Sequence, residues 1–214
     1  MAFFSLEMSS VQLMMRLIIA ETGLSGNDVK SGRLTPEQWR HLESATKPLG
    51  TAPLFIDDTP ALSVFEFRSK ARRLKIHNDI KIIIIDYLQL MTGNQDTKGN
   101  REQEVAFISR TLKAIAKELN VPVICLSQLS RASEKRDDKR PMLSDLRESG
   151  AIEQDADIVL FLYRDDYYNE DSEKHNIAEC IVAKNRHGET GKVELRWMPE
   201  YTQFSTLDTR YDED

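Results

Sequence analysis

The sequence is poor in several features that would assign it a class at once. It has two cysteines in 214 residues, Cys125 and Cys180. Both sit in apolar, strand-like runs without metal-ligand spacing, which leaves them reduced, buried roles. No apolar run reaches the roughly 18 residues of a membrane span, and no signal peptide opens the chain. The expected compartment is therefore the cytoplasm, with no membrane partner. Basic charge is not in excess: 29 Lys and Arg face 35 Asp and Glu, for a net charge of −6 and a pI near 5.4. Global attraction to nucleic acid is excluded, so any such binding must come from local basic loops. There is no internal repeat and no linker rich enough to divide the chain. With 30% charged and 40% apolar residues, residues 1–214 read as a single globular domain with a substantial core.

What is present centres on Lys81-Ile82-Ile83-Ile84-Ile85-Asp86-Tyr87-Leu88-Gln89-Leu90. Four β-branched residues without a polar break predict a strand buried on both faces, as in a parallel sheet covered by helices. Its carboxyl end is where open α/β sheets bind ligands. An Asp at that point either holds Mg²⁺ beside a nucleotide phosphate or caps the next turn.

The rest of the chain alternates. Ala2–Leu6 reads as a strand, and Ser9 or Ser10 caps a helix from Val11 to about Thr22, closed by Gly23. Residues 27–34 read as a polar turn. Thr35, Pro36 and Gln38 supply an N-cap, a first-turn proline and a capping-box partner for a helix running to about Lys47. A short strand over 53–58 ends on Asp57 and Asp58, and a basic amphipathic helix spans Ser63 to about His77. The central strand is expected over Ile80–Leu90. Thr92–Asn100 is expected to be a mobile loop. The longest helical pattern is Arg101–Leu119, followed by a strand over 121–128, a second mobile loop over 131–141, and a helical piece over 144–155 broken at Gly150. Asp157–Tyr163 reads as a strand. Ala178–Lys184 and Lys192–Met198 form an antiparallel pair across a turn at 187–191. The acidic tail from Leu207 is expected to fray. The pattern predicts an α/β fold with a mostly parallel sheet, flanked by helices, and a C-terminal antiparallel hairpin.

Polar residues stand at the carboxyl ends of the strands: Glu7, Asp57, Asp58, Asp86 and Gln128. In a parallel sheet these ends share one edge. A carboxylate there can act as general base, a second can support Mg²⁺, and a glutamine can sense a γ-phosphate or orient water. Each taken alone is equally a turn residue. The alternating Lys184-Asn185-Arg186 presents two cations that could reach phosphates across a subunit boundary or simply stay solvated. Arg131, Lys135, Arg136, Lys139, Arg140 and Arg147 gather in one segment, nearly cancelled by Glu134, Asp137, Asp138 and Asp145. A ring of identical subunits would present such a loop several times to one strand.

The runs at 3–8 (FFSLEM), 82–91 (IIIIDYLQLM), 126–131 (LSQLSR), 144–157 (SDLRESGAIEQDAD) and 183–191 (AKNRHGETG) resemble, in order and spacing, the C-terminal motor domain of the bacterial replicative DNA helicase, the DnaB family. The resemblance covers essentially the whole chain. It implies a RecA-like P-loop NTPase core that uses ATP and Mg²⁺ and works as a homohexamer around single-stranded DNA, with a primase and a helicase loader as partners. By this resemblance Glu7 is the catalytic glutamate that activates water, Asp86 the Walker B aspartate on Mg²⁺, and Gln128 the γ-phosphate sensor. Lys184 and Arg186 are the pair given to the neighbouring subunit's ATP, Arg186 being the finger, while Arg147, Glu148 and Gly150 follow the DNA backbone. Main-chain amides and an arginine suit phosphate tracking without base reading.

The sequence departs from the family in one respect. The Gly-rich Walker A loop, ending Gly-Lys-Thr or Gly-Lys-Ser, occurs nowhere in it. That loop supplies the amide cradle, a phosphate lysine and a Mg²⁺ hydroxyl. The expectation is a RecA-like core incomplete at its N-terminus, poor at binding ATP alone, with apolar sheet left exposed. Two alternatives stay open: another RecA-like ATPase, or a non-catalytic interaction module on the same fold.

Overall fold

A computed structural model describes residues 1–93, 100–131 and 133–207, the side chains at 147–149 excepted. In chain order the elements are β1 (Ala2–Ser5), α1 (Ser10–Thr22), α2 (Gly26–Ser31), α3 (Pro36–Thr51), β2 (Phe55–Asp57), α4 (Val64–Asn78), β3 (Ile83–Asp86), α5 (Arg101–Leu119), β4 (Val123–Cys125), α6 (Gly150–Asp155), β5 (Ile158–Arg164), β6 (Ile177–Asn185), β7 (Gly191–Met198) and β8 (Gln203–Thr206). They gather into two compact units. The first comprises Met1–Leu13, Thr51–Ala132 and Leu143–Ala156; the second comprises Met14–Gly50, Ser133–Met142 and Asp157–Asp214.

The first unit is built on a parallel sheet of order β2-β1-β3-β4. Phe4 and Ala2 of β1 and Ile83 and Ile85 of β3 are fully buried, with Val64, Phe67 and Ala71 of α4 and Val105, Ile108, Leu112 and Ile115 of α5 in the same core. Phe4 and Phe67 meet edge to face, their ring centroids 4.8 Å apart. The aromatic pair adds about 0.5–1.5 kcal/mol beyond the area it buries. The helices are delimited as their sequences dictate. Ser63 accepts the Glu66 N–H to open α4, Asn100 accepts the Gln103 N–H to open α5, and Ser9 and Gln12 exchange hydrogen bonds as a capping box at α1.

The central strand is shorter than its apolar run. It covers Ile83–Asp86, and a single 3₁₀ turn follows at Leu88–Leu90. Only one face of the isoleucine run is fully covered: Ile83 and Ile85 are buried, Ile82 and Ile84 half-buried. Exposed apolar sheet is found in both units. On the first, Ile124 is 47% exposed; on the second, Ile158, Leu160 and Leu162 stand 56–59% exposed on one face of β5.

The second unit holds an antiparallel sheet of order β5-β6-β7-β8. The expected hairpin β6–β7 is there, and β5 and β8 extend it to four strands. The run at 157–163 thus belongs beside the hairpin, antiparallel to β6, because an apolar run reports burial and says nothing of strand direction. Val159, Phe161 and Tyr163 point inward. Three further expectations are corrected. The stretch read as a turn at 27–34 contains α2, closed by Gly32 at φ +69°. Helix α3 keeps its Thr35–Gln38 capping box but continues past Lys47 with Pro48 inside its last turn. The charged segment 131–141, expected to be mobile, is tied down in the described part. Arg136 donates to the Arg140 carbonyl at 2.8 Å, and the Arg140 guanidinium grips Glu179 through two bonds of 2.9 and 3.1 Å. Of the loop at 92–100, residues 94–99 lie outside the described residues, as does the tail from 208.

Candidate functional site

Three parallel strands deliver the first group of candidate residues. Ser5 is in register with Asp86, and Ile85 with Cys125. Beyond the ladder the Leu6 N–H donates to the Asp86 carbonyl at 2.7 Å, and the Leu126 N–H to the Ile85 carbonyl at 2.9 Å. Glu7, Asp86 and Gln128 therefore emerge from the carboxyl ends of β1, β3 and β4, three adjacent strands of one sheet, where α/β folds place ligands. Glu7 and Gln128 are exposed and Asp86 is half-buried. The Cys125 thiol beside them is pushed up to about 12 by burial, with the Asp86 charge adding to the effect. It stays neutral at physiological pH and is no nucleophile.

The other two strand-end acids have structural work. Asp57 is ion-paired to Lys70 at 2.7 Å. Burial pushes its carboxyl up, but the Lys70 ammonium and Thr59 hold it below the usual range. Asp58 accepts the Ser10 N–H at 2.8 Å at the start of α1, and that bond keeps its carboxyl low as well.

Among the described residues no group of three His, Cys, Asp or Glu is placed to hold a metal. A single hard carboxylate such as Asp86 is nonetheless what a nucleotide-borne Mg²⁺ requires, since that ion is usually held by one or two carboxylates together with phosphates and water. Asp86 is the carboxylate of this group whose chemistry suits such an ion.

Sequence reasoning missed Gln89. Its side-chain amide exchanges hydrogen bonds with the main chain of Gln128 in both directions, at 3.1 Å each. Gln89, Arg101, Gln128, Ser130 and Asp145 also border a cleft of about 80 Å³, room for waters but far below the volume of a ligand pocket. The one signal in the sequence is a polar residue inside the apolar run Tyr87-Leu88-Gln89-Leu90.

The second unit holds the cation pair. Lys184 lies in β6 opposite Val159, beside a register shift. Arg186 stands one residue past the strand. Its N–H donates to the Asp157 carbonyl at 2.8 Å, and its guanidinium, about half exposed, pairs with the Asp157 carboxylate at 3.1 Å. The Asn185 side chain spans the turn, donating to the Glu189 carbonyl and accepting the His187 N–H. A β-carbon on Gly188 would come within 2.6 Å of the Asn185 amide nitrogen, so any larger residue there would push that side chain out of the turn. The structure thus brings Glu7, Asp86 and Gln128 together in one unit and places Lys184 and Arg186 in the other.

Arg147 and Glu148 lie in a 3₁₀ stretch, Leu143–Ser149, and Gly150 begins α6. Gly150 is exposed, and a β-carbon built on it meets nothing within 4 Å. No packing among the described residues demands glycine at that point.

The family described as DnaB-like helicase C terminal domain matches residues 1–206. Replicative DNA helicase DnaB of Geobacillus stearothermophilus is 56% identical over 212 residues, which are 99% of this chain and 47% of that protein. The chain thus spans about half the length of the curated relatives it matches. Among solved structures, one ATPase domain superimposes with a TM-score of 0.90 at 43% identity, covering 97% of this chain and 74% of the other. A DnaB-like replicative helicase, described together with its interactions with primase, gives a TM-score of 0.90 at 42% identity, covering 97% of this chain and 50% of the other.

Proposed function

Because the chain belongs to the DnaB-like helicase C-terminal domain family, we propose that its parent is an ATP-dependent replicative DNA helicase, a homohexameric ring that moves along single-stranded DNA as it hydrolyses ATP at subunit interfaces. The observation that carries this reading is the emergence of Glu7, Asp86 and Gln128 from three adjacent parallel strand ends. Residues 1–214 are taken as one partial RecA-like motor domain.

Each residue has a distinct task. The exposed Glu7 carboxylate accepts a proton from the attacking water as general base. Asp86 would hold Mg²⁺, which when bound neutralises charge on the phosphates. Gln128 reports the γ-phosphate. Lys184 and Arg186 serve the ATP of a neighbouring subunit, with Arg186 stabilising transition-state charge in trans. To reach it, the Arg186 guanidinium exchanges Asp157 for a phosphate, a charge-assisted bond of the same kind. Arg147, Glu148 and Gly150 contact the DNA backbone. The open surroundings of Gly150 support close approach of a phosphate to the main chain there.

The Gly-rich phosphate cradle is absent from this sequence, so the residues present make up the acid and sensor part of an ATP site. On this reading the chain alone binds ATP poorly and does not hydrolyse it. A primase is the partner best supported, through the solved helicase with primase interactions, and a helicase loader is implied by the resemblance. On this reading the protein works in the cytoplasm. Among the described residues no helix is long and apolar enough to cross a membrane.

The deciding experiment is DNA-stimulated ATP hydrolysis by the full-length parent carrying Glu7→Gln. The expected result is retained ATP binding with turnover lowered about 10²–10⁴-fold, the size of a lost general base. Turnover equal to the unmodified enzyme removes Glu7 from the mechanism.

A further inference from the structure

Gln128 lies past the end of β4, where the strand ladder no longer holds the main chain. Its N–H and C=O are nevertheless both engaged by the Gln89 side chain, the carbonyl also accepting from the Ser127 hydroxyl at 3.5 Å. Gln89 Oε1 accepts the Gln128 N–H at 3.1 Å, and Gln89 Nε2 donates to the Gln128 carbonyl at 3.1 Å. The same nitrogen lies 3.0 Å from the Ser127 hydroxyl. A primary amide is the side-chain group that offers a donor and an acceptor at the spacing of a peptide group, so it stands in for a missing strand neighbour.

Gln89 is itself held from behind. Its main-chain carbonyl accepts from Arg101 Nη2 at 2.5 Å. Arg101 is ion-paired to Glu104, and Glu104 Oε1 accepts the Gly93 N–H at 2.9 Å. Gln89 belongs to the short turn after β3, Gly93 follows it, and Arg101 and Glu104 lie in the first turn of α5. The turn that follows Asp86 and the start of α5 are thereby bonded to the segment that carries Gln128.

We propose that Gln89 is a positioning residue for the γ-phosphate sensor, setting the main chain of Gln128 through its paired amide bonds, with Arg101 and Glu104 fixing Gln89 in turn. The proposal rests on the reading of Gln128 as sensor. In this role Gln89 acts through Gln128 and not on the nucleotide itself. Its loss lets the Gln128 main chain turn to water and leaves the sensor amide poorly aimed when the γ-phosphate develops charge, a defect in the chemical step more than in ATP affinity.

The test is steady-state ATP hydrolysis by the full-length parent with saturating oligothymidylate, for Gln89→Leu, Gln89→Glu, Gln128→Ala and the Gln89→Leu/Gln128→Ala double variant. Gln89→Glu is isosteric and keeps the acceptor for the Gln128 N–H while losing donation to its carbonyl, so it reports on the bonds when the leucine variant folds poorly. The expected result is a fall in kcat of about 10–100-fold for either Gln89 variant, the size seen when an orienting partner is lost, with KM for ATP changed less than about twofold. In the Gln128→Ala background, Gln89→Leu should add less than about twofold, because the two residues act as one unit. Equal losses in both backgrounds, or an unchanged kcat in both Gln89 variants beside an impaired Gln128→Ala, would overturn the role of Gln89. An unimpaired Gln128→Ala would overturn the sensor reading itself, and the proposal with it.

Discussion

Two strand-end acids of one unit and one sheet acid of the other have opposite surroundings. In the parallel-sheet unit Glu7 is exposed and Asp86 half-buried at strand ends. In the antiparallel unit Glu179 sits inside the sheet at 2% exposure, with Arg140, Lys174 and Lys192 all within 3.4 Å of its oxygens. An acid whose oxygens are all committed to cations cannot take a proton from water, whereas the exposed Glu7 is open to solvent. The arrangement also separates what holds each unit together. The first is cemented by apolar layers such as Phe4, Phe67 and Ile108. The second depends in part on an ionic knot that draws the segment Ser133–Met142 onto β6 and β7, with the Arg140 guanidinium also lying over the Tyr163 ring at 4.8 Å. The comparison predicts that damage to Glu179 lowers stability and damage to Glu7 lowers turnover, with little crossover.

The largest effect on stability is expected at Glu179. Glu179→Ala takes the shared partner from three clustered cations and should cost about 2–4 kcal/mol, read as a shifted urea midpoint. The loss falls short of that for a wholly buried pair because solvent reaches the half-exposed cations. A cost below about 1 kcal/mol would place the knot with ordinary surface pairs and erase the contrast. Its pH dependence sharpens the test. Hydrogen bonding from Arg140 outweighs the opposing effect of burial, and with Lys192 it holds the Glu179 carboxyl at about 2, against its ordinary 4.5. A carboxyl depressed on folding contributes stability that is fully present above about 4.5. That stability is lost as pH falls from 4.5 through 2, with a slope of at most about 1.4 kcal/mol per pH unit. Glu179→Gln should remove that slope, and an unchanged slope would assign the acid sensitivity elsewhere.

A smaller effect is expected at the DNA segment. Arg147→Ala in the full-length parent should weaken single-stranded DNA binding to a similar degree for all sequences and lower the salt-dependence slope by about one. Measured by fluorescence anisotropy across salt, a strongly sequence-selective loss would contradict backbone tracking.

Much of this was legible in the sequence, and the rest failed for physical reasons. The Ser9 and Thr35 caps, the Arg101–Leu119 stripe and the strand ends at Glu7, Asp86 and Gln128 are local patterns, and local patterns survive into the fold. β5 was visible as a strand, but its antiparallel partner was not, because the apolar run Ile158–Tyr163 carries no sign of direction. β8, Gln203–Thr206, has too few apolar residues to announce itself. α2 is hidden by Gly26, Asn27 and Asp28, which favour turns. Glu179 gave a faint sign as the one acid amid Ala178, Cys180, Ile181 and Val182, but its cations come from separate segments: Lys174 five residues away, Lys192 thirteen and Arg140 thirty-nine. Gln89 was read as part of an apolar run, and its partner Gln128 lies 39 residues away.

The most direct test of the proposed division of labour, acids from one subunit and Arg186 from its neighbour, is to mix two inactive variants of the full-length parent, Glu7→Gln and Arg186→Ala, and to measure DNA-stimulated ATP hydrolysis against mixing ratio. Where an Arg186→Ala subunit contributes its intact Glu7 to an interface completed by the intact Arg186 of a Glu7→Gln subunit, a whole site forms. Activity that is absent from either variant and rises to a maximum near equal mixing is the predicted result. Mixed rings that assemble and bind ATP yet stay inactive at every ratio would contradict it and assign Arg186 to its own subunit.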